Sequence, residues 1–302
     1  AVAMRLDLSP WHFVWRHLFY TVLALGAALS VSMLAGKWVW RLGSLIAVGA
    51  LMGVLMTLVL GVEVKGSTRW LWLGPFSVQP SEFLKPGLVV LWAWLLAKGH
   101  EHARFPGFIL AIGLYAFAVL LLMLQPDLGM AVILTAAFFS QIILAGCPLR
   151  YVGCLFALGL AGLFAAYHSF GHVKSRIDRF LDPESGDTFQ VDLSLRSFIK
   201  GGLFGKGPGQ GEVKMRLPDA HADFTFAVLA EEMGLISAFL ILCLYLYVIL
   251  RLARRLMRSD ALFPILAGGG LLAIFATQIL VHIGSSLQLL PAKGMTLPFL
   301  SY

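Results

Sequence analysis

The feature that most constrains this sequence is a series of apolar runs, each close to the ~20 residues that an α-helix needs to cross a bilayer. They fall at Leu18 to Leu34, Leu42 to Val62, Pro80 to Ala97, Phe108 to Leu124, Leu128 to Ala145, Leu149 to Tyr167, Phe224 to Leu250 and Leu262 to Ile283. Such a chain buries backbone polar groups where no water can reach them, so each run must satisfy its own hydrogen bonds as a helix. A closed β-barrel is excluded, because the runs are continuously apolar instead of alternating. Only 13% of the residues are charged and the mean hydropathy is +0.84, against roughly a quarter charged in soluble domains. The expected fold is therefore all-α: a polytopic membrane protein of about eight transmembrane helices, forming one integral-membrane domain over residues 1–302.

Basic residues in short loops set the orientation of such a chain. Arg251, Arg254, Arg255 and Arg258 crowd one loop between two spans, which places that loop in the cytoplasm. Counting back, Arg150, Lys98 with Arg104, and Lys37 with Arg41 fall on the same side. The segments from Glu63 to Gln79, Gly171 to Ala222 and Leu289 to Pro298 then lie outside. A net charge of +7 is thus a matter of membrane sidedness and does not call for nucleic acid. Cys147, Cys154 and Cys243 sit in or beside apolar runs without a C-x-x-C pair, which reads as small core residues and gives neither a disulfide nor a metal site. The first span has no preceding anchor and Leu297 to Tyr302 stop inside an apolar stretch, so further helices are expected beyond both ends.

The large outer loop, residues 171–222, mixes both charge signs with apolar residues such as Phe180, Leu193, Phe198 and Phe204. That composition argues for packing over disorder. No helix is obvious in it, save that Thr188 to Ile199 has the pattern of a short amphipathic helix at the interface.

Five segments could carry chemistry. In Arg216-Leu-Pro-Asp-Ala-His-Ala-Asp-Phe-Thr-Phe226, three titratable groups, Asp219, His221 and Asp223, stand at the outer mouth of a span. Asp223 caps the helix, or is an ionisable group beside Arg216 poised for acid–base work. In Gln79-Pro-Ser-Glu-Phe-Leu-Lys85, Glu82 and Lys85 are three apart and share a helical face. They form a structural ion pair, or line a polar cavity and position a substrate. Gly201-Gly-Leu-Phe-Gly-Lys-Gly-Pro-Gly-Gln-Gly211 is not a P-loop, since no Gly-Lys precedes Ser or Thr. It is a turn, or an anion-binding nest with Lys206 near. Asp127 in Gln125-Pro-Asp-Leu-Gly129 most simply caps the following helix. Lys293, outside against the usual charge bias, meets a lipid phosphate or snorkels. Trp70, Trp72 and Phe76 fit an interfacial aromatic belt.

These motifs, in this order, resemble the SEDS family of FtsW, RodA and SpoVE. The matching pieces are Gly66-Ser-Thr-Arg-Trp70, Gln79 to Lys85, Gln125 to Gly129, Gly201 to Gly205, Leu217-Pro-Asp-Ala-His221 with Asp223-Phe224, Glu231-Glu-Met-Gly234 and Leu290-Pro-Ala-Lys-Gly294. Within the family the chain looks most like the alphaproteobacterial division members. The resemblance implies ten helices, of which this chain carries about eight. It implies a peptidoglycan glycosyltransferase of the bacterial inner membrane that polymerises lipid II at the periplasmic face. It further implies that Asp223 is the catalytic aspartate, that Glu82 and Lys85 line the same cavity, and that Trp70 is an outer-loop tryptophan needed for activity. Arg216, His221, Lys206 and Lys293 are the remaining expected substrate contacts. Charge on the leaving group calls for Arg216, Lys206, Lys85 or a divalent cation such as Mg or Mn. The implied partners are a class B penicillin-binding protein and other division proteins. Ala222 departs from the family, which has threonine there. A lipid II flippase, an elongation polymerase and a recruiting scaffold are the competing readings.

Overall fold

The computed structural model of the protein describes residues 11–64, 67–73, 76–169, 171–181, 189–217, 220, 222–291 and 295–301. All eight expected spans are helices. They are α1 (His12–Ser32), α2 (Gly36–Leu60), α3 (Pro80–Glu101), α4 (Gly107–Leu124), α5 (Leu128–Leu144), α6 (Leu149–Ser169), α9 (Thr225–Leu256) and α10 (Leu262–Ser286). Two further helices, α7 (Gly171–Leu181) and α8 (Phe189–Gly201), and a 3-10 turn (Val213–Met215) lie between α6 and α9. Among the described residues, six helices are long and apolar enough to cross a membrane by length and composition: α1, α2, α4, α6, α9 and α10. The apolar α5 has 17 residues and is shorter. The 22-residue α3 carries Glu82, Lys85, Lys98 and Glu101, which lower its hydropathy.

Two of the segments between spans hold more regular structure than expected. Residues 62–78 fold into an antiparallel sheet of β1 (Val62–Val64), β2 (Ser67–Leu73) and β3 (Phe76–Val78), in the order β1-β2-β3. Val62 faces Trp70 and Trp72 faces Ser77 across the ladders. Trp70 and Trp72 are two apart, so both project to one face of β2; the belt of aromatics is also a strand. The outer loop likewise contains α7, although the sequence pattern points to a helix only in the amphipathic stretch after Thr188. Val173, Ile177 and Leu181 recur at helical spacing, and that period is the signal that marks α7. Thr188 itself lies outside the described residues, and α8 covers the rest of the expected stretch.

Backbone contacts divide the chain into two compact units. One contains Ala35–Lys174 and Ile249–Thr277. Its helices approach closely because small residues meet. A side chain at Gly43 would collide with Val90, and one at Gly87 with the Ala47 backbone, which is the usual means of close packing where the hydrophobic effect cannot drive association. Trp92, Tyr115 and Phe138, from α3, α4 and α5, form an aromatic cluster with centroids 4.4 to 6.1 Å apart. Gln141 cross-links the core: its Nε2 donates to the carbonyls of Val89 at 2.8 Å and Leu266 at 3.1 Å.

The other unit comprises Ala1–Leu34, Ser175–Val248 and Gln278–Tyr302. Its central feature is a break in α9 at Gly234, whose φ is 82° and ψ 170°. In an unbroken helix the N–H groups of Leu235 and Ile236 would donate to the carbonyls of Glu231 and Glu232. Here those donors go instead to Gly202 at 2.9 Å and Leu203 at 3.2 Å. The two freed carbonyls accept from Lys206 at 3.0 Å and Gly207 at 2.9 Å. The glycine loop is thus spliced into the helix backbone. Contact this close leaves no room for Cβ atoms: one at Gly234 would strike the Leu203 carbonyl and the Gly205 nitrogen, and one at Gly201 the Ala230 carbonyl. Beyond the break, Leu235 to Leu256 span about 33 Å at ~1.5 Å per residue, enough to cross a ~30 Å hydrocarbon core without the first turns.

Gly209 shares the φ of 82° seen at Gly234, but a Cβ added there would meet nothing within 4 Å. Gly209→Ala should therefore cost only the left-handed strain, about 1–2 kcal/mol. Gly234→Ala adds a backbone collision and should cost at least about twice that. Thermal unfolding in detergent compares the two, and equal losses would contradict the splice.

Candidate active site

Asp223 stands at the N-terminal end of α9. The first bond of that helix runs from Val228 N–H to the Phe224 carbonyl at 3.1 Å, so Asp223 sits one residue ahead of the cap position that the sequence assigned to it. It is half-buried. Asp219 and His221, the other members of the triplet, lie outside the described residues, as does Lys293.

The segment leading to Asp223 is held by two neighbouring glutamates of α9. Glu231 is fully buried, and its carboxylate accepts the N–H groups of Glu212 at 2.7 Å, Val213 at 2.8 Å and Lys214 at 3.1 Å. Three charge-assisted bonds compensate the burial of the carboxylate and shape the 3-10 turn. Glu232 accepts the Gly209 N–H at 3.1 Å and pairs with the Lys214 ammonium. Arg216 follows the turn, its N–H on the Val213 carbonyl at 2.9 Å and its side chain exposed. Leu217, fully buried, anchors the other side. Sequence reasoning matched Glu231-Glu-Met-Gly234 as a motif but did not find this role. Two adjacent acids inside an apolar helix were the available signal, since buried carboxylates need partners.

Lys206 lies 3.1 Å from Glu212, and Lys200 lies 2.9 Å from the same carboxylate. The Lys200 hydrogen bond, followed by that of Lys206, holds the Glu212 carboxyl below its ordinary range. Its contribution is therefore complete above the ordinary glutamate value and is lost only as pH falls through the lowered one. The glycine loop is neither a free turn nor an open nest. The amides of Gly205, Lys206, Gly207 and Gly209 are taken by Gly201, Glu231, Glu232 and the Glu232 carboxylate.

In the other unit, Asp127 caps α5 as expected, its Oδ1 accepting the Met130 N–H at 3.2 Å. Its Oδ2 lies 3.5 Å from Arg69 of β2. The buried Gln125 amide donates to the Val54 carbonyl at 3.2 Å and to the Thr57 hydroxyl. Trp70, next to Arg69 on β2, is half-buried. On the first turn of α3, Lys85 and Glu82 pair at 2.6 Å, with side chains 6% and 49% exposed respectively. The lysine is thus sunk in the bundle while its partner reaches out. Among the described residues, no group of three or more His, Cys, Asp or Glu side chains is arranged to hold a metal ion.

A family model described as "Cell cycle protein", that of FtsW, RodA and SpoVE, matches residues 2–302. A curated relative from Caulobacter vibrioides, named probable peptidoglycan glycosyltransferase FtsW, is 38% identical over all of this chain and 78% of its own length. One of the same name from Aliivibrio salmonicida is 32% identical over 100% of this chain and 78% of its own. Among solved structures, a chain described under "Structural coordination of polymerization and crosslinking by a peptidoglycan synthase complex" superposes with a TM-score of 0.78. It is 28% identical and covers 95% of this chain and 83% of that one. The rod shape determining protein RodA of Thermus thermophilus gives a TM-score of 0.70 at 28% identity, over 98% of this chain and 82% of its own.

The unequal burial of the Glu82–Lys85 pair makes its two halves unequal in effect. Glu82→Gln leaves a buried ammonium without its countercharge and should cost about 3 kcal/mol or more. Lys85→Met leaves a half-exposed carboxylate in a solvated position and should cost no more than about 1 kcal/mol. Thermal unfolding of the two variants checks the order, and its reversal would contradict the burial argument. Glu231→Gln replaces one of the two accepting oxygens with an NH2, which then faces one or two of the three N–H donors, and should cost about 2–4 kcal/mol. It should also open the amides of Glu212, Val213 and Lys214 to hydrogen exchange, which mass spectrometry reads directly.

Proposed function

The chain belongs to the FtsW/RodA/SpoVE family of cell cycle proteins and is a peptidoglycan glycosyltransferase, and from that premise we propose that it polymerises lipid II at the outer face of the bacterial inner membrane during cell division. The observation that carries the reading is Asp223, a half-buried acid one residue outside the cap of the short helix that leads to the break at Gly234, approached through a turn that Glu231 holds in place.

In the proposed reaction the Asp223 carboxylate takes the proton from the 4-hydroxyl of the acceptor N-acetylglucosamine. The oxygen attacks C1 of the donor N-acetylmuramic acid. The bond from C1 to the pyrophosphate oxygen breaks with inversion, and undecaprenyl pyrophosphate leaves with the electron pair. Asp223 then passes its proton to water. The exposed Arg216 meets the developing charge on the pyrophosphate, with Lys206, His221 and Lys293 as further contacts. Lys206 contributes after exchanging Glu212 for the phosphate. In the membrane part, Lys85 with Glu82 and the sheet residue Trp70 contact the lipid-linked substrate. Among the described residues no group of three His, Cys, Asp or Glu side chains gathers to hold a metal ion; a divalent cation such as Mg or Mn, where bound, would add to the charge neutralisation of the pyrophosphate. A class B penicillin-binding protein that cross-links the new strands is the proposed partner, supported by the likeness to a chain of a peptidoglycan synthase complex. The division role rests on the names of the curated relatives.

The full-length protein in proteoliposomes with lipid II tests the assignment. Asp223→Ala and Asp223→Asn should lower glycan polymerisation by about a hundredfold or more, the scale of a general base, with unfolding temperature unchanged. Wild-type rates in either variant would overturn the assignment. Movement of labelled lipid II across the membrane without polymer would favour a flippase instead.

A further inference from the structure

The segment of residues 295–301 returns from the end of α10 to the outer mouth of α9, and three side chains strap it there. The Nδ1 of the buried His282 lies 2.6 Å from the Met295 carbonyl. A carbonyl can only accept, so Nδ1 carries the proton. The Tyr245 hydroxyl donates to the Pro298 carbonyl at 2.6 Å. The third strap is Ser301. Its Oγ is 2.9 Å from the Ala222 carbonyl, 2.9 Å from the Thr225 hydroxyl and 2.7 Å from the Leu297 nitrogen.

One hydroxyl has one proton and two lone pairs, and these contacts use all of them. The Leu297 N–H can only donate and the Ala222 carbonyl can only accept. Ser301 therefore gives its proton to Ala222 and accepts from Leu297. The remaining lone pair takes the Thr225 proton, whose alternative acceptor, the Ala222 carbonyl, is farther at 3.4 Å. The carbonyl so held belongs to the peptide unit that joins Ala222 to Asp223. Fixing that plane fixes the Asp223 N–Cα bond, and with Phe224 held at the start of the helix it restricts the remaining rotation that sets the direction of the Asp223 Cα–Cβ bond. Ala222 has no hydroxyl of its own to do this.

We propose that Ser301, with Thr225 behind it, is a positioning residue for Asp223: it locks the Ala222–Asp223 peptide so that the carboxylate meets the acceptor hydroxyl. This rests on the reading of Asp223 as the base. Misplacing a reacting group by about 1 Å can cost on the order of a hundredfold in rate, so loss of the lock should appear in kcat.

The test is lipid II polymerisation by the full-length protein with Ser301→Ala, Ser301→Thr and Asp223→Ala side by side. Ser301→Ala should lower kcat about tenfold or more, with KM within about twofold and the unfolding temperature nearly unchanged. Ser301→Thr keeps the hydroxyl and should restore most of the rate. Thr225→Val keeps the volume but removes the proton that Ser301 accepts; it should lower kcat about threefold, and it carries the test if Ser301→Ala does not fold. An active Asp223→Ala overturns the base assignment and the lock together. Wild-type kcat in Ser301→Ala beside an inactive Asp223→Ala overturns the lock alone. A rise in KM at constant kcat, or an equal loss in Ser301→Thr, also overturns it.

Discussion

A helix that breaks near a membrane must find partners for every backbone group the break releases, because the bilayer supplies none. In α9 the break at Gly234 frees two carbonyls and two amides, and the loop at Gly202 to Gly207 takes up all four. The requirement explains why two glycine-bearing motifs far apart in sequence belong together. Gly201, Gly205 and Gly234 are places where two backbones touch. It also explains the acids beside the break. Glu231 and Glu232 bind the return of the same loop, by three amides in one case and by an amide and an ammonium in the other. Arg216 and then Asp223, the next candidate site residues along the sequence, follow directly from this junction.

Several of the charges expected to meet substrate, and of their neighbours, are already paired. Lys200 and Lys206 share Glu212, Lys214 is held by Glu232, Lys85 by Glu82 and Arg69 by Asp127. A surface of paired ions is stable without substrate and yields its cations to an anion only by exchange. That behaviour suits the pyrophosphate of the proposed substrate. The exposed Arg216 is the cation proposed to meet the leaving group.

Much of the architecture was legible in the sequence because a bilayer enforces it. Runs such as Leu262 to Ile283 have one solution, and all eight expected spans are helical. The Asp127 cap and the Glu82–Lys85 pair were legible for a similar reason: their partners lie three residues away on the same helix. The sheet at residues 62–78 was not, because β1 and β3 have three residues each and the tryptophans of the seven-residue β2 read equally as an aromatic belt. Nor was the role of the glycine loop, which depends on a helix break some thirty residues later. The Ser301 contact with Ala222 joins residues 79 apart, and no local pattern announces it. His221 and Lys293, both expected at the site, lie outside the described residues.

Which side of the membrane the α9 mouth faces decides whether Asp223 can reach the proposed substrate. The direct measurement is labelling of a single cysteine at the exposed Gln210, with Cys147, Cys154 and Cys243 replaced by serine, using a membrane-impermeant maleimide on intact spheroplasts. An aspartate that acts on an externally presented, lipid-linked sugar requires labelling before the membrane is opened. Labelling only after lysis would set that carboxylate on the cytosolic side, where the proposed acceptor strand does not exist.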